Sequence, residues 1–321
     1  MKSILICVFI LFLTPIILNG QQTAGKFSVD IKYLLYLPKH YPDDSSAKWP
    51  LVMFLHGSGE SGQNIDSVKK HGPPELVEKG KQFPFILVSP QSEVPNGWDV
   101  DYLYKLLQHI KRTLRVDNDK VYLTGLSMGG FGTWAMAMKY PQEFAAIIPV
   151  CGGGDTSTAW KLRNIPVWCF HGAKDNVVPP INSINMVKAA SLYNAGIKFT
   201  LYPEANHNSW DKTYNNDSVY TWMLSQTKFR YKEVPLSVET LRQYEGYYVG
   251  PDQDTVQLVV TTGRLTARVN GQVIPLLPAS TNLFFINPEL SMDLRFSAGN
   301  KRAPSFIFFG DRKLVYRRVK T

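Results

Sequence analysis

The sequence predicts an α/β fold followed by a small all-β domain, and three observations lead to this prediction. Short apolar runs, each followed by a loop with polar residues, are typical of strands buried in an open α/β sheet. Apolar residues at helical spacing lie between such runs, as from Phe131 to Met138. After residue 233 the pattern changes to short alternating strands separated by turn residues. With 321 residues and 44% apolar content, the chain is long enough for one large domain and one small one.

The first 20 residues predict a signal peptide. An apolar run from Ile4 to Leu18 follows a start that contains Lys2, and the small residue Gly20 comes just after it. The run is too short to span a membrane as a helix, and its flanks are typical of an export signal. We therefore expect cleavage near Gly20 and a secreted or periplasmic protein without a membrane span. A main domain over residues 21–233 and an all-β domain over residues 234–321 would remain.

The segment Gly125-Leu126-Ser127-Met128-Gly129 joins a predicted strand, Val121 to Thr124, to a predicted helix that ends before Pro141. It fits the pattern G-x-S-x-G of a nucleophile elbow, in which glycines let the strand and the helix pass close to a strained serine. Glycine-flanked serines also occur in ordinary turns. Because this serine stands between a strand and a helix N-terminus, where developing negative charge is stabilised, the pattern favours a nucleophilic role.

A nucleophilic serine needs a base and an orienting acid, which follow such an elbow in the chain order Ser, Asp or Glu, His. Asp175 and His207 each come directly after a predicted strand, where open α/β sheets collect their active sites. The sequence therefore predicts a triad of Ser127, Asp175 and His207. Asp155, after the glycine-rich strand exit at 151–154, is the alternative acid. His171 precedes the acid in the chain, and we interpret it as a structural residue.

Two backbone N–H groups are expected to form the oxyanion hole. In hydrolases with this elbow, one comes from a loop after an early strand and the other from the residue after the nucleophile. Leu51 to Leu55 form a continuous apolar run, typical of a strand buried on both faces, and the sequence HGSG turns tightly after it. We therefore assign the hole to the amides of Ser58 and Met128.

Six segments together resemble one branch of the α/β-hydrolase superfamily, and they are LVMFLHGSGESG, ILVSPQ, VYLTGLSMGGFGTW, IIPVCGGGD, WCFHGAKDNVVP and YPEANHNSWDKTY. The branch contains carboxylesterases, feruloyl-esterase-like proteins and predicted peptidases, and it is close to the polyhydroxybutyrate depolymerase and dienelactone hydrolase relatives. The resemblance covers about residues 26–229. It implies a doubly wound, mostly parallel sheet of eight strands, with helices on both faces and the triad named above.

The resemblance also nominates substrate-binding residues. Gln91 and Trp98 resemble residues that line the acyl or alcohol pocket in relatives, although Trp98 is equally typical of an ordinary loop anchor. Trp210 is expected to pack against the histidine loop. Glu60 is close enough in the chain to reach the site, but the pattern favours an exposed loop residue. Ser61 stands where many relatives have arginine, so any contact of that arginine with substrate is absent here.

The C-terminal segment predicts a short helix from Leu236 to Tyr244 and then about eight short strands. Because closure removes exposed strand edges, this number of strands indicates a small barrel or a curled sheet. The opening LRQYEGYY resembles the small β domain appended to some secreted serine hydrolases. We expect this domain to fold separately from residues 21–233.

The charge pattern and the motif content argue against nucleic-acid binding, metal binding and cofactor binding. The 35 basic residues, which give a net charge of +9, are interleaved with 26 acidic ones, and no nucleic-acid-binding signature occurs, so we expect no nucleic-acid partner. No Cys or His cluster has metal-ligand spacing, and no phosphate loop or dinucleotide pattern is present, so we expect no metal and no cofactor. Cys151 and Cys169 are interpreted as buried thiols, although export would permit a disulfide.

The residues together predict an exported serine carboxylic ester hydrolase that works through an acyl-enzyme. The absence of a long insertion between Gly129 and Asp175 favours a small ester or an esterified plant polysaccharide, with acetyl or feruloyl groups, over long-chain lipids. A serine peptidase of the same fold and a catalytically idle glycan-binding module are the alternatives. The sequence indicates no oligomeric state.

Overall fold

The computed structural model describes residues 31–41, 43, 45–297 and 302–319. The predicted signal peptide, residues 1–20, lies outside the described residues. Within the described part of the chain, no helix is long and apolar enough to cross a membrane. The residues from Ile31 onward belong to one compact unit, which contains both a mostly parallel sheet and a barrel.

The sheet has seven strands within the described residues. They are β1 (Tyr33–Tyr36), β2 (Trp49–Leu55), β3 (Ile86–Pro90), β4 (Val116–Leu126), β5 (Ala146–Val150), β6 (Val167–Gly172) and β7 (Ile197–Tyr202). Their order in the sheet is β1-β3-β2-β4-β5-β6-β7, with β1 antiparallel to β3 and all other neighbours parallel. The expected mostly parallel sheet is therefore confirmed, and within the described residues it has seven strands where the resemblance implied eight.

Helices cover both faces of this sheet. They are α1 (Gly72–Glu78), α2 (Val100–Thr113), α3 (Met128–Lys139), α4 (Ile181–Ser191), α5 (Ser209–Tyr214) and α6 (Asp217–Leu224), with 3-10 turns at Ser58–Glu60, Ile65–Lys70, Pro141–Glu143 and Thr156–Leu162. On one face Met53 packs in a cluster with the buried side of α2, α3 and α4. On the other face its neighbour Phe54 packs in a cluster with α1, α5 and α6. Both layers are needed because β2 and β5 are apolar at every position.

The C-terminal segment forms a closed antiparallel barrel of eight strands, as predicted. After the short helix α7 (Val238–Arg242), the strands are β8 (Gly246–Val249), β9 (Thr255–Thr261), β10 (Arg264–Val269), β11 (Gln272–Pro278), β12 (Leu283–Phe285), β13 (Asp293–Phe296), β14 (Ser305–Phe309) and β15 (Lys313–Arg318). The order is β10-β11-β12-β13-β14-β15-β8-β9. The helix is shorter than the predicted range 236–244.

The barrel contacts the sheet domain through a buried ion pair. Arg163, just after the 3-10 turn Thr156–Leu162, donates from Nε to Asp293 Oδ2 of β13 at 2.7 Å, and the two side chains are 1% and 0% exposed. Beside this pair, the ring of Phe309 lies 5.7 Å from that of Trp160 and 6.2 Å from that of Tyr193. Separate folding of residues 234–321 stays a prediction. Removal of the buried ion pair tests it, because a barrel that folds separately would not need this contact.

Candidate active site

Ser127 occupies a strained turn between β4 and α3. Its backbone has φ 53° and ψ −118°, a conformation that is costly for any residue with a side chain. The Ser127 N–H donates to the Val150 carbonyl at 3.0 Å, which helps to hold the turn. A Cβ at Gly129 would lie 1.9 Å from the Leu55 carbonyl oxygen, so that only glycine lets α3 begin so close to β2. The elbow therefore presents the serine side chain at the start of a helix.

Ser127, His207 and Asp175 form one hydrogen-bonded row. His207 Nε2 lies 2.9 Å from Ser127 Oγ, and His207 Nδ1 lies 2.7 Å from Asp175 Oδ2. Because a carboxylate only accepts, Nδ1 carries the proton and Nε2 accepts from the serine hydroxyl. The Asp175 side chain is fully buried and the His207 side chain is 18% exposed. This arrangement can remove the serine proton when the hydroxyl attacks a carbonyl carbon.

Three hydrogen bonds hold the buried carboxylate of Asp175, and the ring of His171 lies beside it. Its Oδ1 accepts from the backbone N–H groups of Val177 and Val178, both at 2.9 Å. Its Oδ2 lies 3.2 Å from Nε2 of His171 in addition to the bond from His207. Burial lowers the pKa of His171, and its Nε2–H donates to the Val178 carbonyl at 2.9 Å while its Nδ1 lies 2.7 Å from the Ser183 hydroxyl. His171 is thus a buried structural residue, as interpreted from the sequence, but its contact with Asp175 was not predicted.

The alternative acid, Asp155, has a different role in the structure. Its carboxylate accepts from the backbone N–H of Ser157 at 2.9 Å and caps the 3-10 turn Thr156–Leu162. It is exposed, and the hydrogen bond from the Ser157 hydroxyl at 2.7 Å, together with that N–H, lowers the pKa of its carboxyl. The structure pairs His207 with Asp175 instead.

The turn that carries the Ser58 amide lies directly against the nucleophile. A Cβ at Gly57 would be 3.6 Å from Ser127 Cβ, so the Ser58 and Met128 N–H groups belong to the two segments that flank the serine. Glu60 Oε2 accepts from the Gly57 N–H at 3.0 Å, and Glu60 Oε1 lies 3.7 Å from His71 Nε2. These contacts fix the shape of the turn.

The interpretation of Glu60 as an exposed residue is wrong, because the residue is only 5% exposed. Burial raises the pKa of its carboxyl. The sequence does contain a signal for this placement. A glutamate three residues after the first residue of a turn is the arrangement of a capping box, in which the side chain reaches back to that first N–H.

His56 braces the same turn from the strand side. Its Nε2 accepts from the Ser92 N–H at 3.0 Å, so its Nδ1 carries the proton and donates to the Gly57 carbonyl at 2.6 Å. Burial lowers the pKa of His56, which favours this neutral form. The ring of Trp98 packs against it edge-on at 4.7 Å. The turn after β2 is therefore held by side chains on both sides.

The two nominated pocket residues pack against this region. The Gln91 Nε2 donates to the carbonyls of Glu60 at 3.0 Å and Asn64 at 2.7 Å, so its amide braces the loop after the turn. Trp98 is half-buried and packs against the apolar core as well as against His56. Their roles in substrate binding stay predictions. Trp210 packs edge-on to the His207 ring at 5.2 Å, which is the position expected for it.

Cys151 lies beside the triad as a buried thiol. Its Sγ accepts from the Ser127 N–H at 3.3 Å, and both Cys151 and Cys169 are free and buried. Cys151, Asp175 and His207 offer donor atoms within 4.8 Å of one another, a spacing that could suit a metal ion. Burial raises the pKa of the Cys151 thiol, however, and the Asp175 and His207 atoms already bond to each other. The triad accounts for this grouping.

Comparison with known proteins shows what the segment that carries the site is similar to. Residues 96–223, which include Ser127, Asp175 and His207, match the model of the dienelactone hydrolase family. A solved structure, a thermostable esterase, superposes with a TM-score of 0.54 and 32% identity over 62% of this chain and 60% of its own.

The curated relatives are similar in part of their length. A probable feruloyl esterase C from Aspergillus niger is 24% identical over 206 residues, which cover 62% of this chain and 74% of that protein. The poly(3-hydroxyalkanoate) depolymerase C of Paucimonas lemoignei is 24% identical over 280 residues and 66% of each chain. A bifunctional acetylxylan esterase/xylanase of Neocallimastix patriciarum is 25% identical over 49% of this chain and 22% of its own. The superposition on the esterase structure and the family match confirm the predicted fold of the sheet domain.

Proposed function

We propose that this chain, which belongs to the α/β-hydrolase superfamily and is a carboxylic ester hydrolase, cleaves esters through a Ser127–His207–Asp175 triad and an acyl-enzyme. The observation that carries the proposal is the hydrogen-bonded row from the strained serine to a buried carboxylate. An idle binding protein has no need for a costly backbone conformation at this serine.

In acylation, Ser127 Oγ attacks the ester carbonyl carbon while His207 Nε2 takes the hydroxyl proton. Asp175 holds the ring in the required tautomer and stabilises the positive charge that forms on it. The amides of Ser58 and Met128 donate to the oxyanion of the tetrahedral intermediate. The intermediate collapses when His207 returns the proton to the leaving alcohol oxygen.

Deacylation repeats these steps with water. His207 Nε2 removes a proton from the water that attacks the acyl carbon, and the same oxyanion hole stabilises the second tetrahedral intermediate. The proton then goes to Ser127 Oγ, which restores the starting state and releases the carboxylic acid. No other reactant is required.

For the substrate, we propose short acyl or aromatic esters, acetyl or feruloyl, on plant polysaccharide. The names of the feruloyl esterase and acetylxylan esterase relatives support this class. Apolar side chains are also exposed on the segments that carry the triad, with Phe131 at 38%, Val177 at 66% and Ile181 at 51%. Exposed apolar surface on these segments fits an acyl or aromatic group.

We also propose that the protein is exported, on the basis of the apolar run from Ile4 to Leu18. Expression of the full chain in a bacterium and mass spectrometry of the mature protein test this. The expected N-terminus lies near Gln21, and a full-length mass in the cytoplasm would contradict the proposal.

A fluorophosphonate probe tests the nucleophile, together with hydrolysis of p-nitrophenyl acetate. The natural protein and Ser191→Ala, a control at an exposed serine at the end of α4, should be labelled and active. Ser127→Ala should be unlabelled and slower by about a millionfold, because the triad acts as a unit. Labelling of Ser127→Ala would refute the assignment. A folded natural protein that is not labelled would favour the binding module.

A substrate panel tests the ester class. It contains p-nitrophenyl esters of increasing chain length, methyl ferulate, acetylated xylan and peptide p-nitroanilides. We expect the highest kcat/KM on acetyl or feruloyl esters. An optimum at long acyl chains would refute the proposed substrate, and faster cleavage of the anilides would identify a peptidase.

A further inference from the structure

The interior of the barrel is filled at one end. Tyr244, next to α7, lies 4.5 Å from Phe296 and 5.1 Å from Phe284 between ring centroids. The ring of Tyr248 lies 5.1 Å from that of Phe306, and Tyr248 is fully buried. These aromatic side chains close the barrel where the strands meet α7.

Towards the β10–β11 turn, the interior instead contains a cavity of about 290 Å³. Every second residue of the adjoining strands lines it, including Ala267 and Val269 of β10 and Ile274 of β11. Phe308 of β14 and Tyr316 of β15 also line it. Val269, Ile274 and Phe308 are apolar and point inward, yet they are only half-buried. Solvent therefore reaches the cavity.

The lining indicates what the cavity can hold. None of the described residues that line it is charged, and Asn270 and Gln272, the polar residues at the turn, stand at its edge. The Tyr316 hydroxyl is engaged by the Asp254 carboxylate. An interior of apolar side chains with a few polar groups at the rim is typical of a site for an apolar small molecule.

The size of the cavity is informative as well. Eight strands give an interior that is either just filled by side chains or able to hold one small ligand. This barrel combines a filled end with an open one, and it has the small residue Ala267 where a larger side chain would fill the space. Unfilled cavities destabilise a core, so a barrel used only as a structural module gains nothing from this one.

We propose that the barrel cavity is a second binding site, separate from the triad, for one uncharged apolar molecule. A cavity of about 150 Å³ holds one benzene molecule, so this volume suits two fused rings or an apolar group of about twelve non-hydrogen atoms. The triad residues all precede the barrel in the chain and none of them lines the cavity. The proposal therefore holds whether or not the proposed esterase activity is correct.

The probe for this site is 2-naphthol, and calorimetric titration of the full-length protein measures its binding. We expect one site with a Kd on the order of 100 µM. The anionic analogue 2-naphthalenesulfonate should bind at least tenfold more weakly, because the cavity offers no partner for its charge.

Two neighbouring substitutions separate the cavity from the surface. Ile274→Trp fills the cavity from inside and should weaken 2-naphthol binding at least tenfold. Val273→Trp is the matched control, since Val273 points outward and is 62% exposed, and it should change the Kd less than twofold. Both variants should keep the natural rate on p-nitrophenyl acetate.

Failure of the natural protein to bind 2-naphthol would overturn the proposal. Equal binding by Ile274→Trp and Val273→Trp would overturn it too, because the ligand would then lie elsewhere. If Ile274→Trp does not fold, Ala267→Leu, which reduces the cavity with a smaller side chain, should give the same loss of binding. Unchanged binding in that variant counts against the site.

Discussion

Replacement of Asp293 with alanine should destabilise the sheet domain and the barrel together. Asp293 accepts from three donors: Arg163 Nε at 2.7 Å, the Tyr231 hydroxyl at 2.5 Å and Arg295 Nε at 3.0 Å. Arg163 also donates to the Ser291 carbonyl at 2.7 Å. Asp293→Ala leaves the guanidinium of Arg163, whose side chain is 1% exposed, without its counter-ion.

The size of the effect follows from this burial. Loss of one partner of a buried ion pair costs about 3–5 kcal/mol, because the remaining charge stays desolvated. That is a large share of the free energy of unfolding of a typical domain, about 5–15 kcal/mol. At about 2 °C per kcal/mol for a chain of this size, Tm should fall by about 6–10 °C.

Urea unfolding monitored by tryptophan fluorescence measures this effect selectively. All seven tryptophans precede residue 234, so the signal reports on the sheet domain although the mutation lies in the barrel. Asp252→Ala is the control, since it removes an exposed pair with Arg312 and should cost less than about 1 kcal/mol. Arg163→Met with Asp293→Leu should recover most of the loss. An Asp293→Ala shift no larger than that of Asp252→Ala would refute the reasoning and favour a separately folding barrel.

Three further predictions concern the site. Asp175→Asn should lower kcat on p-nitrophenyl acetate by about ten-thousandfold while Asp155→Asn changes it less than about twofold, and the reverse result would make Asp155 the acid. Gly129→Ala should cost at least about 2 kcal/mol in urea unfolding, since its Cβ would overlap the Leu55 carbonyl, and a stable active variant would contradict the elbow geometry. Burial lowers the pKa of His56 from 6.5, so His56 takes up a proton on unfolding just below pH 6.5, and the free energy of unfolding falls as the pH is lowered. His56→Gln should therefore reduce this fall between about pH 7 and 5. An equal fall in the variant would show that His56 does not cause it.

The proximity of Ser127, Asp175 and His207 could be predicted from the sequence, because it depends only on residue type, chain order and strand position. Ser127, Asp175 and His207 each follow a strand of one parallel sheet, and such a sheet brings the carboxyl ends of its strands to one edge. Residue type, chain order and strand position were all visible in the sequence. The barrel strands were visible for a similar reason, since short apolar and polar alternations are separated by turn residues.

The placement of Glu60 and His171 could not be predicted in the same way. Burial of a loop side chain depends on what packs over it, and the loop after Glu60 is braced by Gln91, which is distant in sequence. His171 contacts Asp175 only because the loop after β6 turns back onto the strand end. Gln91 is a further example. Its place at a strand end predicts that it lies near the site, but not that its amide bonds to the carbonyls of Glu60 and Asn64.

The strand SFIFF, residues 305–309, indicates that this part of the barrel is packed on both its inner and its outer face. A strand with one solvated face should alternate between apolar and polar residues, but here Phe306, Ile307, Phe308 and Phe309 are all apolar. Such a run requires cover on both faces. In the structure Phe306 and Phe308 face the interior, where the cavity lies, whereas Phe309 on the outer face packs against Trp160 of the sheet domain. The five residues of this barrel strand therefore also need a partner surface outside the barrel. If the barrel and the sheet domain unfold together, Asp293→Ala should destabilise both. If the barrel folds separately, the stability of the sheet domain should not change.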